Sequence, residues 1–225
     1  MTESFPSWND AFATYRKTEG LSGGIYRPVE TENTMSLESV TQSKPATSGI
    51  TEWQVDQSHT SVTFGVRHMM VSTVRGVFHK VSGSVGFDPK NPEKSWANIE
   101  VDIASIDTRE PKRDDHLRSA DFFDAAQFPK MTFKSTKITK KGADEYELTG
   151  DLTIKDITRP VTFEVTDVTG EHADPWGSIR MGASAKTKIK RSDFKMTWNA
   201  ALEAGGVLVG DEVKIELEVE LQRQK

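Results

Sequence analysis

From Trp53 onward the chain alternates apolar and polar residues with a period of two. Val62, Phe64 and Val66 alternate with Ser61, Thr63 and Gly65, and Ile99, Val101 and Ile103 with Glu100 and Asp102. Val161, Phe163 and Val165 alternate with Thr162 and Glu164. The last segment is the most regular: Val213, Ile215, Leu217, Val219 and Leu221 share one face, and Glu212, Lys214, Glu216, Glu218 and Glu220 the other. Successive side chains of a strand point to opposite sides, so the pattern predicts strands with one dry face and one wet face. Further strands are expected over residues 74–87, 131–139, 145–154 and 178–189. Asp88-Pro89-Lys90-Asn91-Pro92, Lys141-Gly142-Ala143-Asp144 and Ala204-Gly205-Gly206 supply turn chemistry between them.

One helical interruption is expected over residues 112–126. Asp114 and Arg118 stand four apart in the favourable acid-first order. Ser119 is placed to cap a second short turn carrying Phe122 and Phe123, and Pro129 ends the segment. About eight antiparallel strands have two common solutions, a sandwich or a closed barrel. Long strands with one-sided alternation favour closure, because a closed sheet has no exposed edge.

Residues 1–52 lack this alternation. The stretch 31–49, rich in Ser, Thr, Glu, Asn and Gln, reads as a flexible linker. An amphipathic helix over residues 9–18 would use Trp8, Phe12 and Tyr15, and Met35 opens a second start. The domain division is therefore an N-terminal extension, 1–52, and a barrel, 53–222. The alternative for the extension is an ordered arm packed on the barrel or on a second subunit, which leaves a homodimer open.

Composition narrows the chemistry. The absence of cysteine removes disulfides, thiol nucleophiles and the common structural zinc sites. A net charge of −5 gives no general attraction to nucleic acid, and no nucleic-acid partner is expected. No segment approaches the roughly 18 apolar residues of a membrane helix. The N-terminus does not read as a secretory signal, so the default location is the cytoplasm.

The runs WQVDQSHTSVTFGVRHMMVSTVRGVF, SIDTREPKRDDHLRSADFFDAAQFPKMTFKSTKI, LTGDLTIKDITRPVTFEV and RSDFKMTWN resemble the YceI-like family of lipid-binding proteins, in order and spacing, over about residues 53–222. The KRDDHLRSADFFD element followed by FPKMTF is the most specific part. The resemblance implies an all-β fold, an extended eight-stranded antiparallel lipocalin-like β-barrel with an elongated internal cavity. It also implies binding of polyisoprenoids or similar long-chain amphiphiles. None of the five tryptophans follows the Gly-x-Trp of true lipocalins, so the likeness is to their shape alone. Thr60, Asp156 and Lys195 depart from the family pattern, the last two standing where the family often has glycine.

Several constellations carry more than one reading. The inward set Phe64, Val66, Phe78, Phe87, Ile103, Phe133, Phe163 and Trp198 either packs as a plain core or lines a void. The run Arg113-Asp114-Asp115-His116-Leu117-Arg118 is either a salt-bridged solvated turn or a polar gate beside Phe122 and Phe123. In the gate reading, Arg113 and Arg118 grip a phosphate or carboxylate head and His116 hydrogen-bonds it. Asp56, His59 and His68 lie near the first strand, but no nucleophile elbow, zinc-binding His-Glu-x-x-His or phosphate-binding glycine motif occurs.

The expected ligand-contacting residues are Phe64, Val66, His68, Phe78, Arg113, His116, Phe122, Phe123, Phe133, Phe194 and Trp198. No catalytic residue, metal ligand or cofactor is expected, and the occupant expected is a bound apolar lipid. The function expected is sequestration or transport of a polyisoprenoid, quinone or fatty-acid or amide ligand. The alternatives are a hydrolase using Asp and His residues, and a packed barrel acting through its surface as a stress or interaction protein.

Overall fold

The computed structural model describes residues 49–202 and 206–224. The expected helix over residues 9–18 lies outside the described residues, as does nearly all of the expected linker. Twelve strands form one antiparallel sheet: β1 Thr51–Val55, β2 Ser61–His68, β3 Ser72–Phe78, β4 Val81–Phe87, β5 Trp96–Asp102, β6 Ile106–Asp107, β7 Lys130–Lys140, β8 Tyr146–Ile154, β9 Ile157–Thr166, β10 His172–Ala173, β11 Ile179–Lys190 and β12 Val209–Arg223. Four pairs are interrupted single runs. β1 continues into β2, β3 into β4, β5 into β6 and β9 into β10, so the wall comprises eight antiparallel runs in up-and-down order.

Closure comes from β12. One edge pairs with β11 from Lys190↔Glu212 to Arg180↔Gln222, while the other pairs with β1 and β2. The ring is an eight-stranded barrel, a size whose interior accommodates side chains or one small ligand. The even alternation of β12 is what lets one strand serve both neighbours with every apolar side chain inward.

The run 74–87 does not behave as one strand. Phe78 and Val81 both point inward, 3% and 1% exposed, so the alternation flips between them. The cause lies across the sheet. His79 N–H donates to the Ser105 carbonyl (3.3 Å) and Lys80 N–H to Ser105 Oγ (3.1 Å). Ser105 belongs to a 3-10 turn, Ile103–Ser105, and the two residues 79–80 are spent following its bend. Ile103, expected on a strand, sits in that turn and is fully buried there.

The helical insertion is also shorter than expected. α1 spans Pro111–Arg118, with Glu110 as N-cap accepting from Lys112 N–H (3.3 Å) and Pro111 at the first turn. Ser119 closes this helix rather than opening another: its hydroxyl donates to the His116 carbonyl (2.7 Å). Turns follow to residue 127, fixed by Phe123 N–H to Leu117 C=O (3.0 Å) and Ala125 N–H to Arg118 C=O (2.9 Å). The expected Asp114–Arg118 pair is absent. Asp114 is buried, accepting from Thr108 N–H (2.9 Å) and Oγ–H (2.6 Å), and Arg118 pairs with Asp115 instead (2.9 Å).

Two apolar clusters fill the barrel. The larger centres on Phe78, Ile103, Ile106, Phe133, Phe163 and Phe194; the smaller consists of Trp53, Met181 and Leu221 with their neighbours. Gly150 shows how closely the larger one is packed. A Cβ there would stand 2.5 Å from the Phe133 ring, so the ring sits against bare backbone.

Candidate functional site

At the end of the barrel where β2 turns into β3 and β12 begins, the interior holds a cavity of about 250 Å³. Its walls are the inward residues of β2 (Val62, Phe64, Val66, His68), β3 (Val74, Phe78) and β12 (Val213, Ile215), with Leu117 of α1 and Phe122 and Phe123 of the following turn. The β3–β6 ladder covers only Val77 and Phe78, and α1 stands where it stops, lending Arg113, His116 and Leu117 to the lining. Gly76 has its own role in shaping this wall. A Cβ would meet the Phe64 ring at 2.4 Å, so only glycine lets that ring fold down over β3 against Phe78 (5.5 Å between centroids).

Of the expected ligand-contacting residues, Phe64, Val66, His68, Phe78, Arg113, His116, Phe122, Phe123 and Trp198 are brought together around this cavity. Phe133 and Phe194 lie elsewhere. Phe133 packs edge-on against Phe163 (5.1 Å) over Gly150, and Phe194 is 1% exposed within the larger core. Phe194 ends the 3-10 turn Arg191–Phe194, in which residues three apart share a side, so it is buried on the side of Arg191.

The cavity's ionisable lining is all basic: Arg67, His68, Arg113, His116 and Arg191, with no carboxylate among them. Arg191 is 6% exposed, and its guanidinium donates to the carbonyls of Gly210 (2.9 Å), Met196 (2.5 Å) and Trp198 (2.9 Å). Burial pulls its pKa down from the ordinary arginine value, with Asp211 opposing. Arg113 donates to the hydroxyl (2.8 Å) and carbonyl (2.9 Å) of Thr108. Among the described residues neither arginine forms an ion pair. Arg118, expected beside Arg113 as a head-group ligand, is turned away onto the Ala104 and Ile106 carbonyls and Asp115.

His116 and Trp198 cross one side of the cavity. The imidazole stands edge-on to Trp198 (4.7 Å) and to Phe122 (5.0 Å), and its Nε2 lies 2.9 Å from Asp121. The aspartate fixes the ring, and the ring stands against Trp198.

Arg191 was missed in the sequence, although a signal existed. The inward residues of β11 are odd-numbered, from Met181 opposite Leu221 to Ile189 opposite Val213. Arg191 continues that phase. A charged residue on the dry phase of an alternating strand is buried and must find partners.

The second polar cluster lies at the far end. Arg180 is held by Asp174 (2.8 Å), Asp56 and Glu220, and His59 Nδ1 approaches Asp56 (3.1 Å) and Glu220 (3.7 Å). Asp56 is held far below the ordinary carboxylate range by the Ser58 hydroxyl, then by Arg180 and His59. Arg180 is pushed up by Asp174, then by Asp56 and Glu220. Asp56, His59 and Glu220 would suit a cation by distance, but the guanidinium of Arg180 already occupies the position between the two carboxylates. Nor is this a hydrolytic relay. Ser58 Oγ (3.3 Å) and Asp56 (3.1 Å) both approach the same ring nitrogen of His59, whereas a relay needs one on each nitrogen.

Comparison with known proteins agrees with this architecture. A family model described as the YceI-like domain matches residues 53–221. Protein YceI from Salmonella newport is 41% identical over 148 residues, covering 65% of this chain and 76% of that protein, and its counterpart from Salmonella arizonae gives the same figures. The crystal structure of BcnA from Burkholderia cenocepacia superposes with a TM-score of 0.65 at 31% identity, over 74% of this chain and 98% of that one. A polyisoprenoid binding domain from Saccharophagus degradans, TM-score 0.53 over 76% of this chain and 98% of its own, is only 12% identical and speaks for the fold alone.

Proposed function

The chain belongs to the YceI-like domain family, and from that premise we propose that it binds a long-chain amphiphile, tail in the cavity and head among the basic residues of the lining. The observation that carries the reading is the cavity itself, walled by apolar side chains and by five basic residues without a single acidic one. The ligand classes that fit the walls are polyisoprenoids, quinones and fatty acids or amides.

Magnitudes favour a charged head. At roughly 30 Å³ per CH₂-sized group, similar to a water's share of the liquid, 250 Å³ admits on the order of eight groups. At ~0.8 kcal/mol each they supply about 6 kcal/mol, against an association cost of about 4–15 kcal/mol. A tail alone is marginal. A carboxylate or phosphate meeting Arg113, with the buried Arg191 of the same lining adding its field, closes the gap through charge-assisted hydrogen bonds. A longer tail continues past Met131 and Met196, whose flexible thioether chains yield more readily than branched residues.

The test has two parts. Organic extraction of the purified protein followed by lipid mass spectrometry should return a long-chain amphiphile. Displacement of a fluorescent fatty-acid probe should rank dodecanoate above dodecanamide and dodecanol. Empty extracts together with no uptake of any of the three would overturn the binding reading. Equal affinities would remove the anionic head while leaving the apolar cavity in place.

A further inference from the structure

Five large apolar side chains stand exposed among the described residues: Met69, Met70, Val71, Val207 and Trp176. The first four lie at the cavity end. Met69, Met70 and Val71 form the loop between β2 and β3, and Val207 immediately precedes Leu208 and β12. Val71 is 80% exposed and Met70 62%.

The loop is not simply loose chain. Met69 and Met70 both hold left-handed backbone, φ 51 and 59, which residues with a Cβ adopt at a cost. Hydrogen bonds impose it from several sides. Met69 N–H donates to the Leu208 carbonyl (2.8 Å), Val71 N–H to the His68 carbonyl (3.0 Å), and the Arg67 guanidinium to the Met70 carbonyl (2.5 Å). Those anchors are themselves cavity residues, since His68, Leu208 and Arg67 all belong to its lining. The exposed apolar tip is thus continuous with the cavity wall.

Charge completes the pattern. Arg67, at the cavity's rim, and Arg75, on the outer face of β3, flank the tip, both exposed and neither in an ion pair among the described residues. Asp211 and Glu212 on the adjoining part of β12 are already engaged, Asp211 by Ser192 (2.8 Å) and Glu212 by Lys188 (3.4 Å). An exposed apolar tip flanked by cations that meet no carboxylate among the described residues matches a headgroup layer, in which apolar side chains reach the acyl boundary and cations meet anionic lipids.

We propose that this tip docks the barrel on an anionic lipid bilayer, with Met69, Met70 and Val71 entering the interface and Arg67 and Arg75 contacting headgroups. The end of the cavity built by His68 and Leu208 then faces the membrane from which an insoluble ligand is drawn. The proposal rests on the amphiphile-binding reading above.

Flotation of the full chain with mixed phosphatidylcholine–phosphatidylglycerol vesicles tests it. Met70→Ser with Val71→Ser should lower partitioning by roughly tenfold or more, since two exposed apolar anchors are lost. Arg67→Gln with Arg75→Gln should lower it less, and the parent's binding should weaken with salt. Trp176→Ser, at the opposite end, should leave it unchanged. Dodecanoate affinity in vesicle-free buffer should stay constant across the tip serine variants and Trp176→Ser. Equal flotation of the double-serine variant, or loss of flotation on Trp176→Ser, would sink the proposal. So would a concentration-dependent dimer, without flotation, that the double-serine variant abolishes, because the tip would then meet a second copy. A parent that binds dodecanoate but does not float defeats docking alone. One that floats through its tip but binds no amphiphile defeats the functional reading alone.

Discussion

The two ends of the barrel are built from the same strands and behave as opposites. Along β12, Val213, Ile215 and Leu217 point inward yet are only partly buried, whereas Leu221 on the same face is 4% exposed. On the first run, Phe64 and Val66 of β2 are half-buried against free space, and Trp53 of β1 is 1% exposed beside Met181 and Leu221. The polar groups differ in the same way. The far end neutralises Arg180 with three carboxylates, while the cavity end leaves Arg113 and Arg191 on neutral oxygens. One end is completed by its own side chains, and the other encloses a cavity.

The largest effect that would sharpen this contrast is expected from Trp53→Ala. Emptying that site should cost about 3–5 kcal/mol in urea denaturation, with amphiphile affinity nearly unchanged in the folded fraction. A parallel loss of affinity would show that the two ends are not independent. A matched pair of enlargements comes next. Val66→Phe grows into free space and should change stability by less than about 1 kcal/mol, while weakening dodecanoate binding about tenfold or more. Ala97→Leu, on a buried inward position of β5, should instead cost about 1–3 kcal/mol and spare binding.

Acid should distinguish the ends too. The Asp56 carboxyl is depressed in the folded state by Ser58, Arg180 and His59, and that of Asp174 chiefly by Arg180. A depressed carboxyl stabilises the fold above its unfolded pKa, about 3.9, and that contribution fades as pH falls through the folded value. Asp56→Asn should therefore lower the urea midpoint at neutral pH, with the deficit shrinking as pH drops below about 4. A deficit that stays constant down to pH about 2 would argue that Asp56 acts by shape rather than charge.

The smallest effect is expected at Lys195. It holds φ 55 at the end of the 3-10 turn and contacts Asp156 across an exposed 3.4 Å ion pair, so the two family glycine positions that this chain replaces meet in space. Their partner in strain is Lys155, φ 59, which carries the positive φ of the β8–β9 turn in place of Asp156. Relieving a left-handed lysine gains about 1–2 kcal/mol, offset by the glycine's extra unfolded entropy and by an ion pair worth little. Lys195→Gly should therefore raise stability by no more than about 1 kcal/mol, read from the urea midpoint.

Much of this was legible along the chain. The period-two pattern located the strands because a half-buried strand must alternate, and the break in it over residues 112–126, ended by Pro129, located the helical insertion. The phase flip at His79–Lys80 was not legible, because a Ser105 hydroxyl and carbonyl from another run impose it. Phe64 and Phe133 look alike in sequence, both aromatic on a dry phase. Phe64 faces the cavity and Phe133 is sealed by Phe163 and Gly150, neighbours that only the strand register supplies.

Alternation and turn chemistry by themselves determined a β domain with one dry face over residues 53–222, because those features act within a few residues of one another. Whether the dry face closes on itself or leaves a void depends on which side chains meet across eight runs. That was decided by tertiary structure alone: by β12 pairing both neighbours, by α1 standing where the β3–β6 ladder stops, and by the carbonyls that take up Arg191 in place of an acid.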